Sequence, residues 1–204
     1  MNKNLISSKP QTGKPKPIIV VSGLPRSGTS MMMKMLAAGG LDIVTDEQRR
    51  ADDDNPNGYF EFEAVKQMTN GDTAWLDGAQ GRVVKVISAL LEHLPAKYNY
   101  KVIFMERALQ EVLVSQKKML DHRKEDARVG DEAMQAQFKA HLGAVKYWLA
   151  RQPNLEVLYV DYNRMMASPE HDSQRVANFI NLPLDIRRMV AVPDAGLYRN
   201  RAER

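Results

Sequence analysis

The sequence contains no cysteine, which excludes disulfides, thiolate metal ligands and a cysteine nucleophile. Any sulfur chemistry would have to arrive with a bound molecule. Long apolar runs are also missing. Nothing approaches the roughly 20 residues that cross a bilayer, and the first stretch, MNKNLISSKPQTGKPKP, lacks the apolar core of a signal peptide. A cytoplasmic location is the default expectation. There is no dense lysine and arginine stripe, so the net charge of +4 suits an anionic small ligand better than a nucleic acid.

What is present is ordinary globular material: 204 residues, 44% hydrophobic and 26% charged. That length buries one sizeable core and leaves little room for a second. Residues 1–17 are rich in Lys, Pro, Ser and Gln and read as a mobile basic arm, with one domain over 18–204. The domain opens on Ile18, Ile19, Val20 and Val21, a continuous apolar run ended by Gly23, as in a strand buried on both faces of a parallel sheet. Arg82 to Ile87, Val102 to Met105 and Leu155 to Val160 have the same character. Helical patterns lie between them: Thr29 to Ala38, stopped by Gly39 and Gly40, then Leu109 to Leu120 and Met134 to Ala150. This alternation predicts an α/β fold, a P-loop-type parallel sheet with helices on both faces. Asp46 to Gly58 and His122 to Glu132 read as loops or exposed helix ends.

The most informative segment is Gly23-Leu-Pro-Arg-Ser-Gly28-Thr29-Ser30, between the first strand and the first helix. Its spacing is that of a loop whose backbone N–H groups and following helix N-terminus cradle phosphate oxygens. Thr29 stands where a nucleoside triphosphatase carries lysine, which argues against ordinary ATP or GTP hydrolysis. Arg26 supplies positive charge from within the loop instead. The bland alternative is a glycine-rich turn that binds nothing.

Pro25, Arg26, Ser27, Gly28, Thr29 and Ser30 match, residue for residue, the 5′-phosphosulfate loop of the sulfotransferase family, which this chain resembles. A second family feature is a strand-end arginine followed eight positions on by a serine, and Arg107 and Ser115 have that spacing. The resemblance implies that this pair holds a 3′-phosphate. It implies 3′-phosphoadenosine 5′-phosphosulfate as donor, adenosine 3′,5′-bisphosphate as product, and no metal requirement. Tyr162 follows the strand LEVLYVD where the family often places an aromatic against adenine, although a tyrosine there could equally cap the core. Arg199, Asn200 and Arg201 resemble the late basic segment that closes over the 3′-phosphate, or form a solvated tail.

The catalytic residues are less plainly written. Cytosolic members place a histidine two positions after a strand lysine; Lys85 is kept here, but Ile87 occupies the histidine position. His93, His122, His141 and His171 stand singly and read as surface or capping residues. The replacement is Glu61, in Asn55-Pro-Asn-Gly-Tyr-Phe-Glu61, which resembles a segment of bacterial sulfotransferases. The turn delivers Glu61 at the start of the next helix, either as general base or as a carboxylate favouring that helix terminus. Lys85 contacts the leaving bridge or the sulfuryl group, or else snorkels from the core edge. With Arg26 these are the candidate catalytic residues.

Two further signals fail. Asp53, Asn55 and Asn57 open like a calcium loop, but Ala64 falls where the bidentate glutamate belongs. Met31, Met32, Met33 and Met35 read as core packing. The predicted activity is sulfuryl transfer to a hydroxyl or amine of a small-molecule or saccharide acceptor. Its rivals are a P-loop small-molecule kinase, with Asp161 organising Mg²⁺, and a nucleotide-binding protein without catalysis.

Overall fold

In the computed structural model the described residues are 15–46, 58–123 and 130–194. Five strands form one parallel sheet in the order β2-β3-β1-β4-β5. They are β1 (Ile18–Gly23), β2 (Ile43–Val44), β3 (Val83–Lys85), β4 (Tyr100–Glu106) and β5 (Leu155–Asp161). All six residues of β1 are buried, because strands on either side and layers above and below leave it no solvent face.

The pleat divides the core in two. Ile18 and Val20 join Val84, Val102 and Phe104 on one face, while Ile19 and Val21 join Val83, Ile103 and Met105 on the other. The first face is covered by three short 3₁₀ segments, Glu63–Asn70, Ala74–Ala79 and Ser88–His93, and by helix α3 (Asp131–Leu149). The second is covered by α1 (Thr29–Ala38), α4 (Tyr162–Ala167), α5 (Pro169–Ile180) and α6 (Ile186–Val190). Helix α2 (Leu109–Arg123) packs against α3. Met31, Met32, Met33 and Met35 are all buried, filling the space between α1 and the sheet as expected of flexible apolar side chains.

Several boundaries differ from the sequence reading. The strand expected over Arg82 to Ile87 contracts to Val83–Lys85; Val86 N still donates to the Val21 carbonyl at 3.0 Å, and the chain then turns into the 3₁₀ segment at Ser88. Helix α2 continues to Arg123 and α3 begins at Asp131, so the charged stretch expected as loop is helical at both ends. No described helix is long and apolar enough to cross a membrane.

A buried carboxylate locks the second layer. Asp172 has no solvent exposure and accepts from Arg164 Nε and Nη2 at 2.8 and 2.9 Å and from Arg175. Burial alone would push this carboxyl up, but the hydrogen bonds and charges of Arg164 and Arg175 hold it below its ordinary value.

Candidate anion and nucleotide site

The site lies at the carboxyl ends of β1, β3, β4 and β5, where parallel strands hand over to loops and helices. Within the loop after β1, Ser27 Oγ donates to the Leu24 carbonyl at 2.7 Å, closing a tight turn. Arg26 (φ 70) and Gly28 (φ 97), on either side of Ser27, are both left-handed. Such alternation turns consecutive backbone N–H groups toward one side, the concavity that binds anions. Helix α1 then starts with no side-chain cap and no acidic residue in its first turn, leaving its positive end available to an anion.

The glycines of this loop are required by contact as well as by φ. A Cβ on Gly23 would stand 2.5 Å from Ser27 Oγ and 2.6 Å from the Met105 carbonyl. One on Gly28 would stand 2.4 Å from Tyr162 Cδ2. The loop therefore lies against the end of β4 on one side and the ring of Tyr162 on the other.

The residues singled out in the sequence converge around it. Arg26 Nε donates to Ser115 Oγ at 2.9 Å, across 89 residues of sequence. Arg107 Nη1 donates to the Arg26 carbonyl at 3.2 Å, and its guanidinium lies 4.4 Å from the centre of the Tyr162 ring. Burial pushes the Tyr162 hydroxyl above its ordinary value; Arg107 and Arg26 pull against this and Glu111 adds to it. On the β3 side, Lys85 Nζ donates to Ser30 Oγ at 3.1 Å and to the Tyr59 carbonyl at 2.7 Å. Pro25 is exposed at the tip of the turn, and Thr29 is buried under the start of α1.

Glu61 does not begin a helix as expected; the 3₁₀ segment starts at Glu63, with Phe62 as its N-cap. The reason is a tie to residues 45–46, 16 and 17 positions back in the chain. The Glu61 carbonyl accepts from Thr45 Oγ1 at 2.9 Å and Asp46 N at 3.3 Å, and Asp46 Oδ2 accepts from Glu63 N at 2.7 Å, so residues 45–46 tie down the chain on both sides of Phe62, which is extended at φ -133. Glu61 is partly buried, whereas Glu63 is exposed and pairs with Lys66. Ile87 is 41% exposed where the family pattern has histidine. Asp161 caps α4 by accepting from Arg164 N at 2.7 Å. Arg199, Asn200 and Arg201 lie outside the described residues, as do Asp53 to Asn57 and residues 1–14.

Two polar contacts were not foreseen, the fork of Glu111 and the pairing of His141 with Ser88. Glu111 is 2% exposed and accepts from Arg107 Nε at 2.8 Å and from Asn163 Nδ2 at 2.9 Å. The only sequence signal was the spacing of an arginine and a glutamate one helical turn apart, which is common on solvated helix faces. His141, read as a surface or capping residue, has Nε2 2.9 Å from the buried Ser88 Oγ.

A model of the sulfotransferase domain family matches residues 16–194. No curated protein sequence matches. Among solved structures, a sulfotransferase from Mycobacterium tuberculosis, STF1, aligns with a TM-score of 0.58 at 16% identity, covering 89% of this chain and 72% of that one. A mouse sulfotransferase, SULT7A1, complexed with PAP, gives 0.58 at 14% identity, with 94% and 69% covered. A sulfotransferase from Alicyclobacillus acidocaldarius gives 0.50 at 14% identity, with 90% and 99% covered. At these identities the structural likeness speaks to the fold.

Proposed function

The chain belongs to the sulfotransferase domain family, and from that premise we propose that it binds 3′-phosphoadenosine 5′-phosphosulfate and transfers its sulfuryl group to a hydroxyl or amine of a small-molecule or saccharide acceptor. The observation that carries this reading is the hydrogen bond from Arg26 to Ser115, with Arg107 beside it. It joins the phosphate loop to the arginine and serine that the family uses for a second phosphate. A nucleotide carrying phosphates at both 3′ and 5′ positions fits such a pair of adjoining cationic subsites; a linear triphosphate does not need the second.

The donor, when bound, supplies a sulfuryl group on a phosphate leaving group. The chain's own part is electrostatic. The loop N–H groups and the N-terminus of α1, with Arg26 beside them, would neutralise the negative charge that grows on the bridging oxygen. Lys85, held at the loop by Ser30, is the cation for the sulfuryl oxygens. Tyr162, buried with its ring under Arg107 and against Gly28, backs the phosphate loop, and its place beside the adenine rests on the family resemblance. Glu61 is the general base for the acceptor: it is partly buried, and its segment is tied to Lys85 through the Tyr59 carbonyl. Arg199, Asn200 and Arg201 complete the 3′-phosphate site in this reading. No metal takes part, because arginine, lysine and backbone donors do the neutralising.

A small-molecule kinase would draw on Asp161 for Mg²⁺, but that carboxylate already caps α4. Thermal unfolding separates the two readings. Adenosine 3′,5′-bisphosphate is expected to raise the melting temperature well beyond ATP, since stabilisation follows occupancy. Equal shifts would sink the donor assignment.

A further inference from the structure

The site holds a buried anion of its own, Glu111, where the proposed ligand is itself anionic. The physical reason is Arg107. Its side chain is 8% exposed, and a guanidinium taken that far from water needs a partner of opposite charge and hydrogen bonds for its donors. Glu111, in the first turn of α2, supplies both at 2.8 Å. Its second oxygen accepts from Asn163, 52 residues away at the start of α4. Asn163 follows Tyr162, whose ring lies under Arg107 and against Gly28.

One carboxylate thus ties together the turns after β4 and β5, and through Arg107 and the Arg26 carbonyl it reaches the loop after β1. Resting on the donor reading above, we propose that Glu111 is a positioning residue for nucleotide recognition. It fixes the Arg107 guanidinium over Tyr162 before any ligand arrives, so that discrimination for a 3′-phosphate depends on a residue that does not itself contact the nucleotide. Preorganisation of this kind spares the ligand the cost of ordering the arginine.

The chemistry of the fork supplies a sharp test. Glu111 accepts from two donors at once, and a glutamine has one acceptor oxygen and an NH₂ that would face a donor. Glu111→Gln must therefore abandon either Arg107 or Asn163. Affinities for adenosine 3′,5′-bisphosphate and adenosine 5′-monophosphate are measured by titration calorimetry on the full chain. Glu111→Gln is expected to lower the preference for the bisphosphate tenfold or more while changing monophosphate affinity less than threefold. Asn163→Ala, which leaves the Arg107 pair intact, is expected to give the same loss to a smaller degree. Combining Glu111→Gln with Arg107→Ala is expected to add nothing to Arg107→Ala alone, because both act through one guanidinium.

Equal losses for the two nucleotides, or full retention of discrimination, would overturn the positioning role. If Glu111→Gln does not fold, Asn163→Ala decides by the same criterion. A wild-type chain that binds the bisphosphate no better than the monophosphate overturns the donor reading, and this inference with it. A wild-type preference that survives in the variants overturns this inference alone.

Discussion

Lys85 Nζ donates to the carbonyl oxygen of Tyr59 at 2.7 Å, so a lysine at the end of β3 holds the segment that carries Glu61. The same ammonium reaches Ser30 in the first turn of α1 at 3.1 Å. One cation therefore spans the start of α1 and the segment that carries Glu61. Lys85→Met keeps the length and apolar stem but removes the donor. The rate of transfer is expected to fall by about 10²-fold or more, as when a single preorganised donor is removed. Bisphosphate affinity should change by a smaller factor. A wild-type rate in this variant would remove Lys85 from the chemistry.

Glu61→Gln is expected to lower the acceptor-dependent rate by about 10²-fold, the lower end of what a positioned general base contributes. Nucleotide affinity should barely move. Glu63→Gln is the control, since Glu63 is exposed and occupied by Lys66. Steady-state rates for the two variants check this; similar small losses in both would leave Glu61 without a role as base.

Gly28→Ala tests the packing of loop on ring. The residue sits at φ 97, and its new methyl would meet Tyr162 Cδ2 at 2.4 Å. Strain of this kind costs about 1–3 kcal/mol, and about 2–4 °C of melting temperature per kcal/mol follows for a chain of this size. Bisphosphate binding should fall further than stability does. Thermal melts with and without ligand report both, and unchanged binding would mean that the ring and loop are not a shared surface.

The motif around Gly28 was legible because glycine, proline and a helix start are written in adjacent letters. So were β1 and α1, where an unbroken apolar run meets the Gly39-Gly40 stop and leaves no competing pattern. Glu111 and Asn163 were not, because a carboxylate and an amide on helices look solvated until the fold brings Arg107 and Asn163 to the two oxygens of Glu111. The start of the segment after Glu61 was missed for a related reason. Thr45 and Asp46 tie that chain down from a distance in sequence that no local pattern encodes. The cover of 3₁₀ segments over one face was equally hidden, being short and without full helical periodicity.

Asp172 belongs to stability rather than to the site. Asp172→Asn leaves Arg164 and Arg175 facing a neutral amide and is expected to cost about 3 kcal/mol at neutral pH, the low end for a broken buried pair, because Arg164 is half exposed. The folded-state pKa lies below the unfolded value, so this stabilisation is complete above about pH 4 and is lost as pH falls below it. Urea unfolding of both proteins across that range should show their difference shrinking only at the acid end. A difference that persists unchanged well below about pH 4 would contradict the assignment.

The central claim is that the loop after β1 and the Arg107–Ser115 pair together activate a phosphosulfate donor without a metal. Release of adenosine 3′,5′-bisphosphate from 3′-phosphoadenosine 5′-phosphosulfate, followed in excess EDTA with a mixed panel of alcohols, phenols, amines and simple saccharides, tests it most directly. Acceptor-dependent release that survives EDTA and is lost in Arg26→Ala is expected. Release of ADP from ATP with a strict Mg²⁺ requirement, and none from the phosphosulfate, would contradict it.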